Sequence, residues 1–241
     1  MEQLHNRSLQ KEVVANVNRF QVITIFNQKY PSSLKVIPDP PLVLYLHGDS
    51  TLLSYSPNLS VVGTRHPSVN ALSIMKNLLI PLFQYKLVIT SGMAIGIDGF
   101  AHQLALQHQS PTIAVLGGGF DHIYPKEHQS LYQQISKENL IISEYPPNQP
   151  PQKYHFPERN RIISGLSFGT LVIEAKKRSG TLITVDQALE QGKEVFAVPG
   201  SILAETSSGC NQLIQDGAKL VLSSNDILEE CIIHHPNQLK I

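Results

Sequence analysis

"TLVIEAKKRSGTLIT", Thr170 to Thr184, decides how the chain folds. Its first six residues are mostly apolar or β-branched, a length that suits a strand and falls short of a helix. Lys176, Lys177 and Arg178 then form a basic turn, and Ser179-Gly180-Thr181 opens "TLITVDQALEQG", whose apolar positions have helical spacing. A strand, a short loop and a helix in that order make one βα unit. Similar apolar runs lie on both sides: "LSVVG" (59–63), "LVITSG" (87–92), "TIAVLGGG" (112–119), "LIISEY" (140–145), "EVFAVPG" (194–200) and "AKLVLS" (218–223). All are rich in Val and Ile and bounded by Gly, Ser or Pro, the composition of strands buried on both faces. With helix-length segments between them, they predict an α/β fold: a doubly wound, mostly parallel sheet with right-handed connections.

Three segments are expected. Residues 1–40 read as a short helical piece followed by "YPSSLKVIPDPP", whose prolines argue against regular structure; 41–223 form the core, beginning with a strand in "LVLYLHG"; 224–241 form a helical tail. Most core runs end in small residues, as in Gly63-Thr64-Arg65, Thr90-Ser91-Gly92, Gly117-Gly118-Gly119 and Pro199-Gly200-Ser201. In a doubly wound sheet such ends share one rim, where backbone N–H groups and helix N-termini favour anions. Positive charge gathers at the same place. Between Pro151 and Gly180 there are six Lys or Arg against two Glu, whereas the rest of the chain has 13 basic and 17 acidic residues, so the total is neutral. Local clustering, more than net charge, indicates a phosphate partner.

Composition excludes several classes. Cys210 and Cys231 form no CxxC and no zinc pattern, which argues against a disulfide framework and suits a reducing cytoplasm. The N-terminus has no signal-peptide pattern, and no run of about 18 apolar residues suggests a membrane span. "GGG" at 117–119 follows a strand but does not complete GxGxxG, so it reads as a tight turn. Asp98 and His102, four apart, have no third ligand nearby in sequence; they read as a helix cap and a surface or packing histidine, and no metal, cofactor or catalytic triad is expected. Phe156, Asn160 and Arg161 of "FPERNRIISGLS" combine an aromatic, an amide and a cation, the inventory of a single-strand reader.

Nine blocks, including "VVGTRHPS", "SGMAIGIDGFAH", "LGGGFDHIYP", "FPERNRIISGLS", "VIEAKKRSGTLIT" and "SSGCNQLIQDGAKLV", occur in order over residues 30–223. Together they resemble the DNA-processing protein A family, also called Smf. The resemblance implies an extended Rossmann-like domain that binds single-stranded DNA in natural transformation and helps to load the recombinase RecA, acting in the cytoplasm without being an enzyme. It implies DNA contacts at Gly63, Arg65, Phe156, Asn160, Arg161, Arg178, Ser179 and Gly180, to which the strand end at Ser91 and Gly92 is added. Within the basic turn Arg178 is expected to matter most, because its planar fork suits phosphate. The resemblance also implies a homodimer through the region of Leu213 and Ile214. Many members carry a C-terminal winged-helix domain; none is expected here.

A second reading comes from "SFGTLVIE", where Gly169, Thr170 and Glu174 echo the nucleotide loop of nucleoside-monophosphate phosphoribohydrolases. Ser167 and Phe168 replace the loop glycines, and Glu174 falls at the end of a strand, so the echo lacks its structural context.

Overall fold

The computed structural model describes residues 7–235. In chain order the elements are α1 (Arg7–Arg19), β1 (Gln21–Thr24), α2 (Ser32–Lys35), β2 (Val43–Gly48), β3 (Asn58–Val62), α3 (Ala71–Phe83), β4 (Val88–Ser91), α4 (Ile97–Gln107), β5 (Thr112–Leu116), α5 (Gln129–Glu138), β6 (Leu140–Ser143), α6 (His155–Leu166), β7 (Gly169–Val172), α7 (Gly180–Glu190), β8 (Glu194–Ala197), α8 (Ser208–Gln215), β9 (Lys219–Leu220) and α9 (Ser224–His234). The strands form one sheet in the order β1-β2-β6-β5-β4-β3-β7-β8-β9. From β6 to β9 all pairings are parallel, while β1 and β2 add an antiparallel edge.

The order reverses between β3 and β7. From β3 the chain runs outward through β4 and β5 to β6, then returns by α6 to lay β7 on the other side of β3 and continues to β9. That reversal is the topological switch point of a doubly wound sheet, where the two loops leaving adjacent strands diverge and open a crevice.

Alternate residues of the central strands enter two cores, as strands buried on both faces require. Val62, Val172 and Ala197 pack with Ile162 and Ile163 of α6, Val185 of α7 and Cys210 of α8. Val61, Leu171 and Phe196 pack on the other face with Met75 and Leu79 of α3, Ala101 of α4, and Ile227 and Cys231 of α9. Leu131 and Ile135 of α5 cover Ala114, Leu116 and Ile141.

The expected segment boundaries do not separate physical units. Residues 21–24 are β1, paired with Val43–Leu46 of β2, and Tyr30, Leu34 and Ile37 are buried in the first core. The prolines of "YPSSLKVIPDPP" leave room for one helical turn, α2, which begins directly after Pro31, where a proline costs nothing. At the other end α9 is part of the second core through Ile227 and Cys231. The expected strand at 218–223 pairs only at Lys219 and Leu220.

Candidate nucleic-acid interface

The crevice at the switch point is a pocket of about 660 Å³. One wall is the loop after β3. Val62 ends the strand, and Gly63, Thr64 and Arg65 turn over the N-terminus of α4, where Ile97 N–H donates to the Thr64 carbonyl at 3.3 Å. Gly96 makes this approach possible: its φ is +85°, and a Cβ there would lie 2.5 Å from the Thr64 oxygen. Arg65 is exposed, and its guanidinium carbon lies 5.9 Å from the centre of the Phe156 ring, a cation–π distance.

The second wall is α6. A helix advances about 100° per residue, so positions i, i+3, i+4 and i+7 share a face. Phe156, Arg159, Asn160 and Ile163 have that spacing and all line the pocket. Phe156 rests over Gly117, with Tyr124 5.5 Å away centre to centre, and is partly exposed. Asn160 Oδ1 accepts from Arg159 Nε at 3.2 Å.

The third wall is the turn after β7. Ser179 and Gly180 start α7 at the pocket, and the Ser179 Oγ is buried without a hydrogen-bond partner among the described residues. The first N–H groups of α7 have no partner within the helix, so the crevice receives both orphan donors and the positive end of a helix dipole. Lys176 also lines the pocket while its Nζ donates to Glu205 at 2.7 Å. Lys153 lines the opposite rim.

Beneath the pocket lies a buried polar lock. Arg159 is 4% exposed, and its Nη1 donates to the Gly92 carbonyl at 2.7 Å and to that of Val115. The Gly92 N–H in turn donates to Asp98 Oδ2 at 3.2 Å. Gly92 therefore joins the two charged groups, and a Cβ there would sit 2.5 Å from Arg159 Nη2, so a larger residue would have to displace the guanidinium. Burial holds the Asp98 carboxyl above its ordinary pKa, opposed mainly by Arg159; burial also brings Arg159 down to about 10, which leaves it cationic at neutral pH. Asp98 is the one carboxylate among the described lining residues, and it is buried, so the surface offered to a ligand is positive.

The expected site residues divide into groups. Gly63, Arg65, Phe156, Asn160, Ser179 and Gly180 are brought together. Arg178 is exposed on the flank of the basic turn, outside the lining, whereas Lys176 is inside it. Ser91 is buried and donates to the Val61 carbonyl at 2.6 Å, and Gly92 lies in the floor. Arg161 points elsewhere. Five positions after Phe156 is about 140° around the helix, and there its guanidinium meets Glu144 at 2.8 Å and Asp39 at 3.0 Å. Leu213 and Ile214 are partly buried against the first core. His102 is a fully buried packing residue, bonded through Nδ1 to Thr112 at 2.7 Å, with its pKa lowered by burial to about 3. Asp98 is not the expected helix cap: Gly96 holds the N-cap position of α4, and Asp98, within the first turn, is buried and accepts from the Gly92 N–H that precedes the helix. Glu174 is 6% exposed, and both its oxygens accept from Ser68, one from the hydroxyl and one from the backbone N–H.

Residues that the sequence reading did not single out are Arg159, Lys153 and Tyr124. The helical spacing of Arg159 and Ile163 from Phe156 was a signal available for the first; Lys153 and Tyr124 reach the pocket from loops with no such signal.

The sequence profile of the family described as DNA recombination-mediator protein A matches residues 21–232. The DNA processing protein DprA of Bacillus subtilis is 48% identical over 208 residues, 86% of this chain and 70% of the relative. The protein of the same name from Streptococcus pneumoniae is 45% identical over 228 residues, 95% of this chain and 79% of the relative, and its X-ray structure superposes with a TM-score of 0.87 over 92% of this chain and 77% of that one. A structure of DNA processing protein A from Helicobacter pylori, described as giving insight into its single-stranded DNA binding mode, superposes with a TM-score of 0.79 at 30% identity, covering 89% of this chain and 97% of the other.

Proposed function

This chain belongs to the DNA recombination-mediator protein A family, and from that premise we propose that it binds single-stranded DNA in the switch-point crevice. The observation that carries the reading is the convergence of Phe156, Arg65 and the open N-terminus of α7 on one pocket whose single carboxylate is buried. The ring stacks an unpaired base, Arg65 and Lys153 hold phosphates, the N–H groups after Ser179 bind a third, and Asn160 offers its amide to a base edge. A duplex presents no free base face to Phe156, so the pocket prefers single strands.

Further steps of the proposal are loading of the RecA recombinase onto the bound strand in transformation, and action in the cytoplasm as a homodimer. The dimer would use the sheet edge of α8 and β9, which is supported by the exposed side chains of Ile202, Leu203, Leu220 and Leu222 beside it. Leu213 and Ile214 give only part of their surface to it, the rest being packed inward. The proposed role is binding without catalysis. The tie of Glu174 to Ser68 disfavours the phosphoribohydrolase reading, because that carboxylate is not free to act on a ligand.

Fluorescence anisotropy with labelled single-stranded and duplex oligonucleotides, over a series of salt concentrations, tests the reading. Expected is a preference for the single strand, with affinity falling linearly on a log–log salt plot. Equal affinity for both forms would refute the stacking pocket and leave a diffuse basic surface.

A further inference from the structure

A second cavity, about 650 Å³, lies at the opposite end of the sheet, where strands begin. Asn58, the first residue of β3, and Ser167 are buried in its lining; Lys193 precedes β8, and His235 follows α9. The volume falls within the usual ~300–1,000 Å³ of small-ligand sites.

Three observations give the cavity an electrostatic sign. The first is its lining, which includes Lys29, Lys193, His234 and His235 but, among the described residues, no Asp or Glu. The half-buried Lys193 makes no side-chain hydrogen bond or ion pair among the described residues, and burial lowers its pKa. A partly desolvated ammonium without a counter-charge is unfavourable, and a bound anion would relieve it. The second is that the basic side chains lie together: Lys193, His234 and His235 line one cavity, and the His235 pKa is lowered by burial and then by its two basic neighbours. Two carboxylates stand beside this group but outside the lining: Glu194, 3.5 Å from His234 Nε2, and Glu230, which clusters with both and is itself paired with Lys219 at 2.8 Å. The third is the supply of donors. Asn58 is 5% exposed, and its Oδ1 accepts from the hydroxyls of Thr90 at 2.8 Å and Ser167 at 3.1 Å, which leaves its NH2 group without a partner among the described residues. Ser56 lies at the rim, its Oγ 3.2 Å from His235 Nδ1.

We infer that this cavity binds a small phosphate-bearing molecule of about nucleotide size, held by Lys193 and His235 with Asn58 donating to the same ligand. Phosphate fits better than a single carboxylate because it presents three acceptor oxygens and up to two charges to several donors. The buried floor favours a small molecule over a nucleic-acid strand. The site does not depend on the DNA reading of the other pocket.

Isothermal titration of the full chain with inorganic pyrophosphate tests the inference. Expected is saturable binding that Lys193→Gln weakens roughly tenfold or more, the loss of a charge-assisted contact, and that Arg65→Ala leaves in place. His235→Gln should weaken it as well, with thermal melting confirming that both variants fold. Lys193→Gln should leave single-strand binding unchanged, so the two sites fail or stand independently. Absence of binding at millimolar pyrophosphate overturns the inference. So does the reverse pattern, loss in Arg65→Ala with retention in Lys193→Gln, which would place the anion in the switch-point crevice. Displacement of pyrophosphate from Arg65→Ala by a short oligonucleotide would assign the cavity to nucleic acid, and overturns it too.

Discussion

Replacing Arg159 by Met should test whether the floor of the crevice is held by the buried lock or merely filled by it. The methionine keeps most of the apolar stem, so packing loss is small. What disappears is electrostatic. The carbonyls of Gly92 and Val115 lose a charged donor, each unsatisfied group costing about 1–3 kcal/mol, and buried Asp98 loses the cation that opposes its desolvation. Removing one side of a buried charge arrangement costs roughly 3–5 kcal/mol. No direct ion pair exists here, since Gly92 intervenes, so the lower end of that range applies: about 3 kcal/mol, or some 6–12 °C in Tm for a chain of this size. The cost depends on pH. Asp98 already titrates above its ordinary value in the folded state, and without Arg159 it rises further. A carboxyl whose folded pKa exceeds its unfolded one stabilises the fold when protonated, and that contribution is lost as pH rises through the folded pKa. Calorimetric melts of the Arg159→Met protein should therefore show a smaller deficit near about pH 5 than near about pH 8. Adding Asp98→Asn, which keeps the acceptor for Gly92, should recover at least about 1 kcal/mol of the loss. A deficit below about 1 kcal/mol, or a double variant no better than the single one, would refute the lock.

Much of this architecture is legible from the chain, and the exceptions have physical causes. The parallel strands are visible because burial on both faces demands continuous Val and Ile, as in "LVITSG" and "TIAVLGGG". β1 escaped because "QVIT" is four residues at a sheet edge with one buried side chain, Ile23, and nothing in so short a run distinguishes it from a loop. α2 is hard to read from sequence because proline breaks a helix in its interior and also begins one. In the site, the small residues at strand ends marked the rim only in part: Gly63-Thr64-Arg65 lines the crevice, whereas Ser91 is buried, Gly92 lies beneath the pocket and Pro199-Gly200-Ser201 lies outside the lining. Side-chain direction was harder. "FPERNR" contains two arginines two apart; a helix sends them to different faces, and only the phase set by Phe156 assigns Arg159 to the pocket and Arg161 to Glu144 and Asp39. Within "KKR" no periodicity existed to use, because a loop has none, and the chemical preference for arginine named Arg178 where the turn presents Lys176. Asp98 and His102 show a further limit, as spacing on α4 gives no sign that both side chains point inward.

The remaining predictions separate structural from binding roles. Arg161→Ala should lower Tm while leaving single-strand affinity within about twofold, since its partners Glu144 and Asp39 lie outside the crevice and a partly buried network of this kind contributes on the order of 1–3 kcal/mol; a large loss of affinity with no change in Tm would contradict that placement. Glu205→Gln should tighten single-strand binding and steepen its salt dependence, because Lys176 is then released from its 2.7 Å pair to face the crevice; Arg178→Ala should have the smaller effect of an exposed charge on the flank, and a larger loss there than for Lys176→Ala would return the pocket to the arginine. Phe156→Ala and Arg65→Ala should both weaken binding but differ in kind: the first removes roughly 1–3 kcal/mol of stacking at an unchanged salt slope, whereas the second lowers the slope by about one ion. The contrast is informative because the two side chains touch, with 5.9 Å between guanidinium carbon and ring centre. If Arg65 served chiefly to position the ring, both variants would lose the same affinity at one slope, and the assignment of a phosphate to Arg65 would fall.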